Sequence, residues 1–413
     1  MDSEAASRRR FLERLAGLGG AAFGAGLLLS SPALRGRALS LWAEAAERPG
    51  LTDLLRRAPV ARYWAPAGAA CADCHSTAPE GNAAKGHRKS APVRCLLCAH
   101  GCVLRDGERG RCRVRINVRG EMRTLSYGHP VAEHVDPIEK KPFYHFLPGA
   151  QAYSLATAGC PLRCRFCQNW EISQASPEDY GSDFVPAGAL ANRAREIGVA
   201  LLAFTYNEPT VFVEYFSDTA REAKKHGIRS VLVSCGFMNE EPLKEMIEVL
   251  EAIKIDLKGF SEDFYRRISG AELRPVLRSI RQVAQAGRHL EIVNLVVPTL
   301  NDSARDLDEL CRWVAGEAGP DVPVHFTRFH PDYQMLHLPP TPVATLERAR
   351  ETALRHGLRY PYVGNVPGHP GNHTYCPGCG KIVIERNGFF VTSKSLKDGA
   401  CASCGRAVAG VWS

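Results

Sequence analysis

Beyond Leu34 the 413-residue sequence contains no second run of about twenty apolar residues, which excludes a multi-span membrane protein. It also lacks an excess of one charge over most of its length. Residues 1–150 hold 23 Lys and Arg against 14 Asp and Glu, whereas residues 151–413 hold 29 against 30. The net charge of +8 therefore comes from the first third, and no nucleic-acid partner is expected. No internal repeat is present beyond an alternation of strand-like and helix-like segments. With 45% hydrophobic and 23% charged residues, a mainly disordered, collagen-like or coiled-coil chain is excluded too. The length exceeds what one core fills, so two or three domains are expected. The fifteen cysteines do not show the wide spacing of a disulfide scaffold, because most fall in groups two or three residues apart, the arithmetic of metal sites. Cys235 and Cys311 stand alone and read as buried small hydrophobes.

Ser7-Arg8-Arg9-Arg10-Phe11-Leu12 precedes an uncharged stretch from Leu15 to Leu34, the layout of a twin-arginine (Tat) targeting segment. Gly17, Gly19, Gly20, Gly24 and Gly26 would make a poor soluble helix of it. No clear cleavage site follows, so residues 1–35 are expected to serve as signal or membrane anchor. Export would place the protein in the periplasm or on a membrane. Residues 36–92 form an irregular lead-in segment. It carries Cys71-Ala-Asp-Cys74-His75, which is the haem c attachment pattern, with His87 or a methionine as second axial ligand, or else an extra metal or redox pair.

From about Tyr153 apolar strands alternate with amphipathic helices. Strands are expected at residues 153–158, 201–206, 229–234, 252–257, 290–297 and 324–329, and helices near 186–197, 211–226, 241–250, 273–285, 303–318 and 345–356. Six βα units with polar residues just after the strand ends fit a complete or partial α/β barrel better than a doubly wound sheet. The organisation expected is a four-cysteine module at 93–150, a barrel at 151–365 and a small module at 372–413, reached through a linker rich in Gly and Pro.

Cys160-Pro-Leu-Arg-Cys164-Arg-Phe-Cys167 follows the first of these strands. Three thiolates are one short of a structural zinc site. On a [4Fe-4S] cluster they leave one iron open to a small molecule. At the other end, Cys376-Pro-Gly-Cys379 and Cys401-Ala-Ser-Cys404 have zinc-ribbon spacing, with rubredoxin-type iron as competitor and a structural role expected. Cys95, Cys98, Cys102 and Cys112 make another four-thiolate set. It is read as zinc ahead of an auxiliary iron–sulfur cluster, because the spacing differs from the ferredoxin run.

The central triplet resembles that of the radical S-adenosylmethionine (SAM) enzymes. Asp136-Pro-Ile-Glu-Lys-Lys-Pro-Phe-Tyr-His-Phe-Leu-Pro-Gly149, Thr205-Tyr-Asn-Glu-Pro-Thr210, Arg328-Phe-His-Pro-Asp-Tyr333 and Tyr362-Val-Gly-Asn-Val-Pro-Gly368 are similar to the AmmeMemoRadiSam-type branch, near the pyruvate formate-lyase activating enzymes. The resemblance covers roughly residues 93–413. It implies a radical SAM barrel of partial TIM type with Cys-rich metal-binding modules at both ends. It also implies a cluster that reductively cleaves S-adenosyl-L-methionine to a 5′-deoxyadenosyl radical for hydrogen abstraction. Asn207 and Glu208 then match the segment that contacts the methionine amino group, and Ser234 the position facing the ribose. Cys235 stands where the usual residue is Asn. Asp256, Lys258 and His330 are candidate cofactor or substrate contacts, with a salt bridge as the alternative for the first two. Phe166 and Trp170 are expected to wall the cluster or stack near adenine. The expected partners are a low-potential electron donor and either a glycyl residue of a protein substrate or Memo-like and AMMECR-like proteins. The rival reading is a non-catalytic iron–sulfur or haem electron-transfer protein. This chemistry draws on cytoplasmic supplies, in conflict with the export segment.

Overall fold

Parallel strands buried on both faces need near-continuous apolar sequence, and the stretch Leu201–Phe204 is buried at every position. A computed structural model describes residues 50–67 and 91–413; the segment at 1–35 and Cys71, Cys74, His75 and His87 lie outside the described residues. The described residues from Leu51 onward form one compact unit, so the four-cysteine segment, the strand-and-helix segment and the C-terminal module share one body. Among the described residues no helix is long and apolar enough to cross a membrane.

The unit opens with helix α1 (Leu51–Arg57) and a small antiparallel sheet of β1 (Trp64–Pro66), β2 (Val93–Cys95) and β3 (Val103–Leu104). A hairpin of β4 (Arg115–Val118) and β5 (Glu121–Thr124) follows. Its tip takes Arg119 and Gly120 at φ 52° and 87°, as a tight turn matched to strand twist requires. Next comes β6 (Ala132–Pro137), then seven parallel strands: β7 (Gln151–Ala156), β8 (Leu201–Phe204), β9 (Arg229–Ser234), β10 (Ala252–Asp256), β11 (His289–Val296), β12 (Val324–Arg328) and β13 (Pro361–Gly364). Between them run α2 (Ala187–Ile197), α3 (Val213–Lys224), α4 (Glu240–Val249), α5 (Leu273–Gln285), α6 (Ala304–Glu317) and α7 (Val343–Arg355).

The order across the sheet is β13-β12-β11-β10-β9-β8-β7-β6, with β6 antiparallel to β7. A doubly wound sheet reverses its order at a switch point, and this one does not. Among the described residues no ladder joins β6 to β13, so the sheet keeps two edges. Both edge strands escape the sequence pattern. β6 is mostly polar and half exposed, and β13 is four residues long and starts at Pro361. The strict order brings the loops that follow β7 to β13 to one rim.

The opposite end is plugged by the chain between β6 and β7. Ile138, Phe143 and Phe146 pack on Ala152, Leu201, Ala203, Val231 and Ala252, the alanines leaving room for the rings. Buried Glu291 holds this plug. It accepts from the backbone N–H groups of Tyr144 (2.9 Å) and His145 (2.8 Å) and meets Nε2 of His289 (2.9 Å) and His325 (2.6 Å). Burial would raise its carboxyl, but the bonds to the two histidines hold it well below the usual range. The C-terminal module contains β14 (Thr374–Tyr375), β15 (Ile382–Asn387), β16 (Phe390–Lys394), β17 (Leu396–Lys397) and β18 (Ala400–Cys401). It is joined to the plug by Arg386, which donates to the Tyr144 carbonyl at 2.8 Å.

At the N-terminal side, Arg115 of β4 donates to Glu214 of α3 at 2.6 Å, and both are buried. Truncating one partner of such a pair strands the other charge. Arg115→Ala should therefore destabilise the protein by about 3–5 kcal/mol, read as a shift of the denaturant midpoint at unchanged slope.

Candidate active site at the strand-end rim

The chain leaves β7 at Ala156 and turns through Gly159 into the cysteine triplet. Gly159 has φ +96°, and a Cβ there would lie 2.5 Å from the carbonyl oxygen of Cys112, so only glycine lets the two backbones meet. The triplet loop is held on its far side by short backbone pairing, Arg163 N to Ser269 O (2.8 Å) and Arg165 N to Ile268 O (3.0 Å). None of the three thiols is in a disulfide. Cys164 is buried, and Cys160 and Cys167 are half-buried.

Asn207, just beyond β8, gives both amide hydrogens to this loop, bonding the carbonyls of Thr157 and Gly159 at 2.7 Å each. Its Oδ1 is buried and has no hydrogen-bond partner among the described residues. A buried acceptor left open beside three thiolates fits a donor on a bound ligand, such as an ammonium. Glu208 is placed differently. Its carboxylate is buried and already accepts from Thr210 N (3.1 Å), Thr210 Oγ1 (2.5 Å), Ser234 Oγ (2.7 Å) and Cys235 N (2.6 Å). It therefore ties the β8 exit to the β9 exit, and Ser234 turns its hydroxyl into that tie.

Asp256 and Lys258, at the end of β10, form the salt bridge that was the alternative for them, Nζ to Oδ2 at 3.0 Å. Buried Lys254 bonds the other oxygen of Asp256. Burial would raise the Asp256 carboxyl, but the two lysines outweigh it and hold it down to about 2. Lys258 also faces Cys164 and Cys235. Burial opposes its charged form, yet Asp256 and these two thiols push its pKa up. Burial raises the Cys164 thiol to about 11 against the pull of Lys258. A cation is thus already in place for negative charge on the triplet.

Phe166 is buried, stacked on Phe264 at 6.3 Å and lying 5.7 Å from the Lys258 ammonium, so it walls the site. Trp170 lies flat on Tyr333, ring centroids 5.2 Å apart at 11°, and is exposed at the rim. The structure thus brings Cys160, Cys164, Cys167, Phe166, Asn207, Glu208, Ser234, Asp256 and Lys258 together. His330 is exposed on the loop after β12, and no hydrogen bond or ring contact links it to that group among the described residues. Sequence reasoning missed Lys254 and Tyr206. Tyr206 sits at φ +71°, accepts at its carbonyl from Asn169 (2.8 Å) and bonds Asp136 through its hydroxyl. Its partner is 70 residues away, which no spacing rule reveals.

Two further cysteine sets lie outside this group, the C-terminal one beside the plug. Among the described residues, Cys376, Cys379, Cys401 and Cys404 are the one group of three or more Cys, His, Asp or Glu whose ligand atoms all lie within 4.8 Å of one another. Cys376 and Cys404 approach to 3.5 Å, and Cys379 and Cys401 to 3.8 Å. With Zn–S near 2.3 Å, tetrahedral thiolates lie about 3.8 Å apart, so this set fits a single zinc-sized ion. Cys95, Cys98, Cys102 and Cys112 face one another but are spread more widely.

A model of the Radical SAM superfamily matches residues 154–314. The chain is 40% identical over 318 residues to an uncharacterized protein of Methanocaldococcus jannaschii, spanning 76% of this chain and 95% of that one. It is 24% identical over 176 residues to a pyruvate formate-lyase-activating enzyme of Staphylococcus epidermidis, covering 40% of this chain and 70% of that enzyme. Among solved structures, SuiB of Streptococcus suis bound to S-adenosylmethionine is similar over 55% of this chain and 53% of that one. The identity is 12% and the TM-score 0.41, a likeness too loose to carry an argument.

Gly159→Ala tests the geometry of the triplet loop. The added carbon meets the Cys112 carbonyl oxygen and the buried Val114 side chain at 2.5 Å each, in a left-handed conformation. A loss of about 1–3 kcal/mol is expected by thermal denaturation, against near neutrality for Gly188→Ala, which has open space.

Proposed function

Because the chain belongs to the radical SAM superfamily, we propose that Cys160, Cys164 and Cys167 hold a [4Fe-4S] cluster at which S-adenosyl-L-methionine is bound and cleaved. The observation that carries this reading is the buried, unpartnered Oδ1 of Asn207 on the very side chain that fastens the triplet loop. A [4Fe-4S] cluster held by Cys160, Cys164 and Cys167 would supply the one electron needed for reductive cleavage of S-adenosyl-L-methionine to methionine and a hydrogen-abstracting 5′-deoxyadenosyl radical.

The chain's own residues do the rest. Asn207 fixes the loop and offers Oδ1 to the methionine ammonium. Lys258 offsets negative charge on the thiolates. Phe166 and Phe264 keep water from the triplet. Glu208 holds Ser234 and the Cys235 backbone so that the β9 exit keeps its shape. In this reading the sheet curls as a partial TIM-type barrel about the rim, and the C-terminal quartet binds a structural zinc. The pyruvate formate-lyase-activating relatives suggest a glycyl residue of a partner protein as the substrate class.

Anaerobic protein reconstituted with iron and sulfide, then given dithionite and S-adenosylmethionine, should release 5′-deoxyadenosine, and Cys164→Ala should release none. Absence of the nucleoside from wild-type protein that holds the cluster would favour a purely electron-carrying role.

The zinc assignment has its own check. Cys379→Ala with Cys404→Ala should remove about one equivalent of zinc, as counted by metal analysis, and expose the C-terminal module to proteolysis. The iron content should not change.

A further inference from the structure

The two flanking cysteine sets differ in the core they belong to. Cys376 and Cys401 pack in a satellite cluster with Tyr144, Tyr360 and Tyr362. Cys95, Cys98, Cys102 and Cys112 pack instead on the main hydrophobic cluster, the same one that takes in Cys160, Cys164 and Cys167. A small satellite gains from a structural metal. The N-terminal segment has no such need, since Leu97, Leu104, Val114 and Met122 are already buried in the main core.

Sulfur spacing separates the sets as well. The C-terminal quartet closes to the distances of one tetrahedral ion. The N-terminal cysteines face one another, yet no three of their sulfurs come within 4.8 Å of one another. A polynuclear cluster spreads its thiolates in this way, because each binds a different iron.

Position adds the third observation. Cys112 touches the triplet loop directly, its carbonyl packed against Gly159 one residue before Cys160. His100, between Cys98 and Cys102, is bonded through Nε2 to the carbonyl of Pro161 (3.0 Å), one residue after Cys160. Arg163 of the triplet loop bonds the Arg111 carbonyl. The two loops are joined by one close backbone approach and by two hydrogen bonds from side chains to backbone carbonyls.

We propose that Cys95, Cys98, Cys102 and Cys112 hold a second [4Fe-4S] cluster that passes single electrons to the cluster on Cys160, Cys164 and Cys167. The relay rests on the function proposed above. A low-potential one-electron protein of the ferredoxin or flavodoxin class is oxidised, the N-terminal cluster is reduced, and it is reoxidised as the central cluster takes the electron. No atom is transferred.

The test uses anaerobically reconstituted full-length protein with two variants, Cys98→Ala/Cys102→Ala and Cys160→Ala/Cys164→Ala/Cys167→Ala. Wild type should contain about eight irons and about one zinc per chain and take up about two electrons in a reductive titration. Each variant should contain about four irons and take up about one electron. The reduced triple variant should give a paramagnetic signal that S-adenosylmethionine leaves unchanged. Reduction of the central cluster by a flavodoxin-class donor should slow about tenfold or more in the double variant. If the double variant fails to fold, the triple variant still reports whether the N-terminal set binds iron. About four irons and two zincs in wild type, an iron-free triple variant, or an unslowed double variant would overturn the proposal. Eight irons without 5′-deoxyadenosine would instead overturn the function and leave the second cluster standing.

Discussion

Two hydrogen bonds from one amide hold the rim together. Asn207 leaves β8 and fastens the carbonyls of Thr157 and Gly159, which leave β7. Adjacent parallel strands have no covalent reason to end in a shared geometry, because their exits are set by separate loops. The Asn207 amide supplies that coupling, so the position of the triplet depends on the end of the next strand. Glu208, the following residue, repeats the device one strand further on by gripping Ser234 and the Cys235 backbone. Loop to strand to loop, the exits of β7, β8 and β9 become one rigid arc, which is the preorganisation that radical chemistry demands of its cage.

Charge follows the same arc. Three thiols in a buried place resist ionisation, and burial pushes Cys164 upward. Lys258 offsets this, and Asp256 keeps Lys258 charged and in position while Lys254 supports Asp256 from beneath. What looks at first like a salt bridge at a barrel mouth is therefore also a counter-charge to the thiolates. The carboxylate serves the lysine, and the lysine serves the cysteines.

Much of this was legible in the sequence, for reasons that mark where legibility stops. The central strands were found because burial on both faces leaves continuous apolar runs, as in Arg229–Ser234, and helix Leu273–Gln285 falls where its amphipathic period put it. β6 and β13 were not, because edge strands carry polar or short sequences. The cysteine groups were readable because ligand spacing is local. The role of Glu208 was only half readable: its place beside the triplet was expected, but its bonds to Ser234 and Cys235 cross 26 and 27 residues and exist only after the strands align. Tyr206, held in a left-handed conformation and bonded to Asp136, left no trace in composition or period.

The plug of Phe143 and Phe146, clamped by Glu291 and backed by Arg386, closes the end of the sheet away from the triplet. That clamp ties together stretches that lie far apart along the chain, 143–146, 291 and 386, so slackening any one of them would unseat the floor beneath the strands.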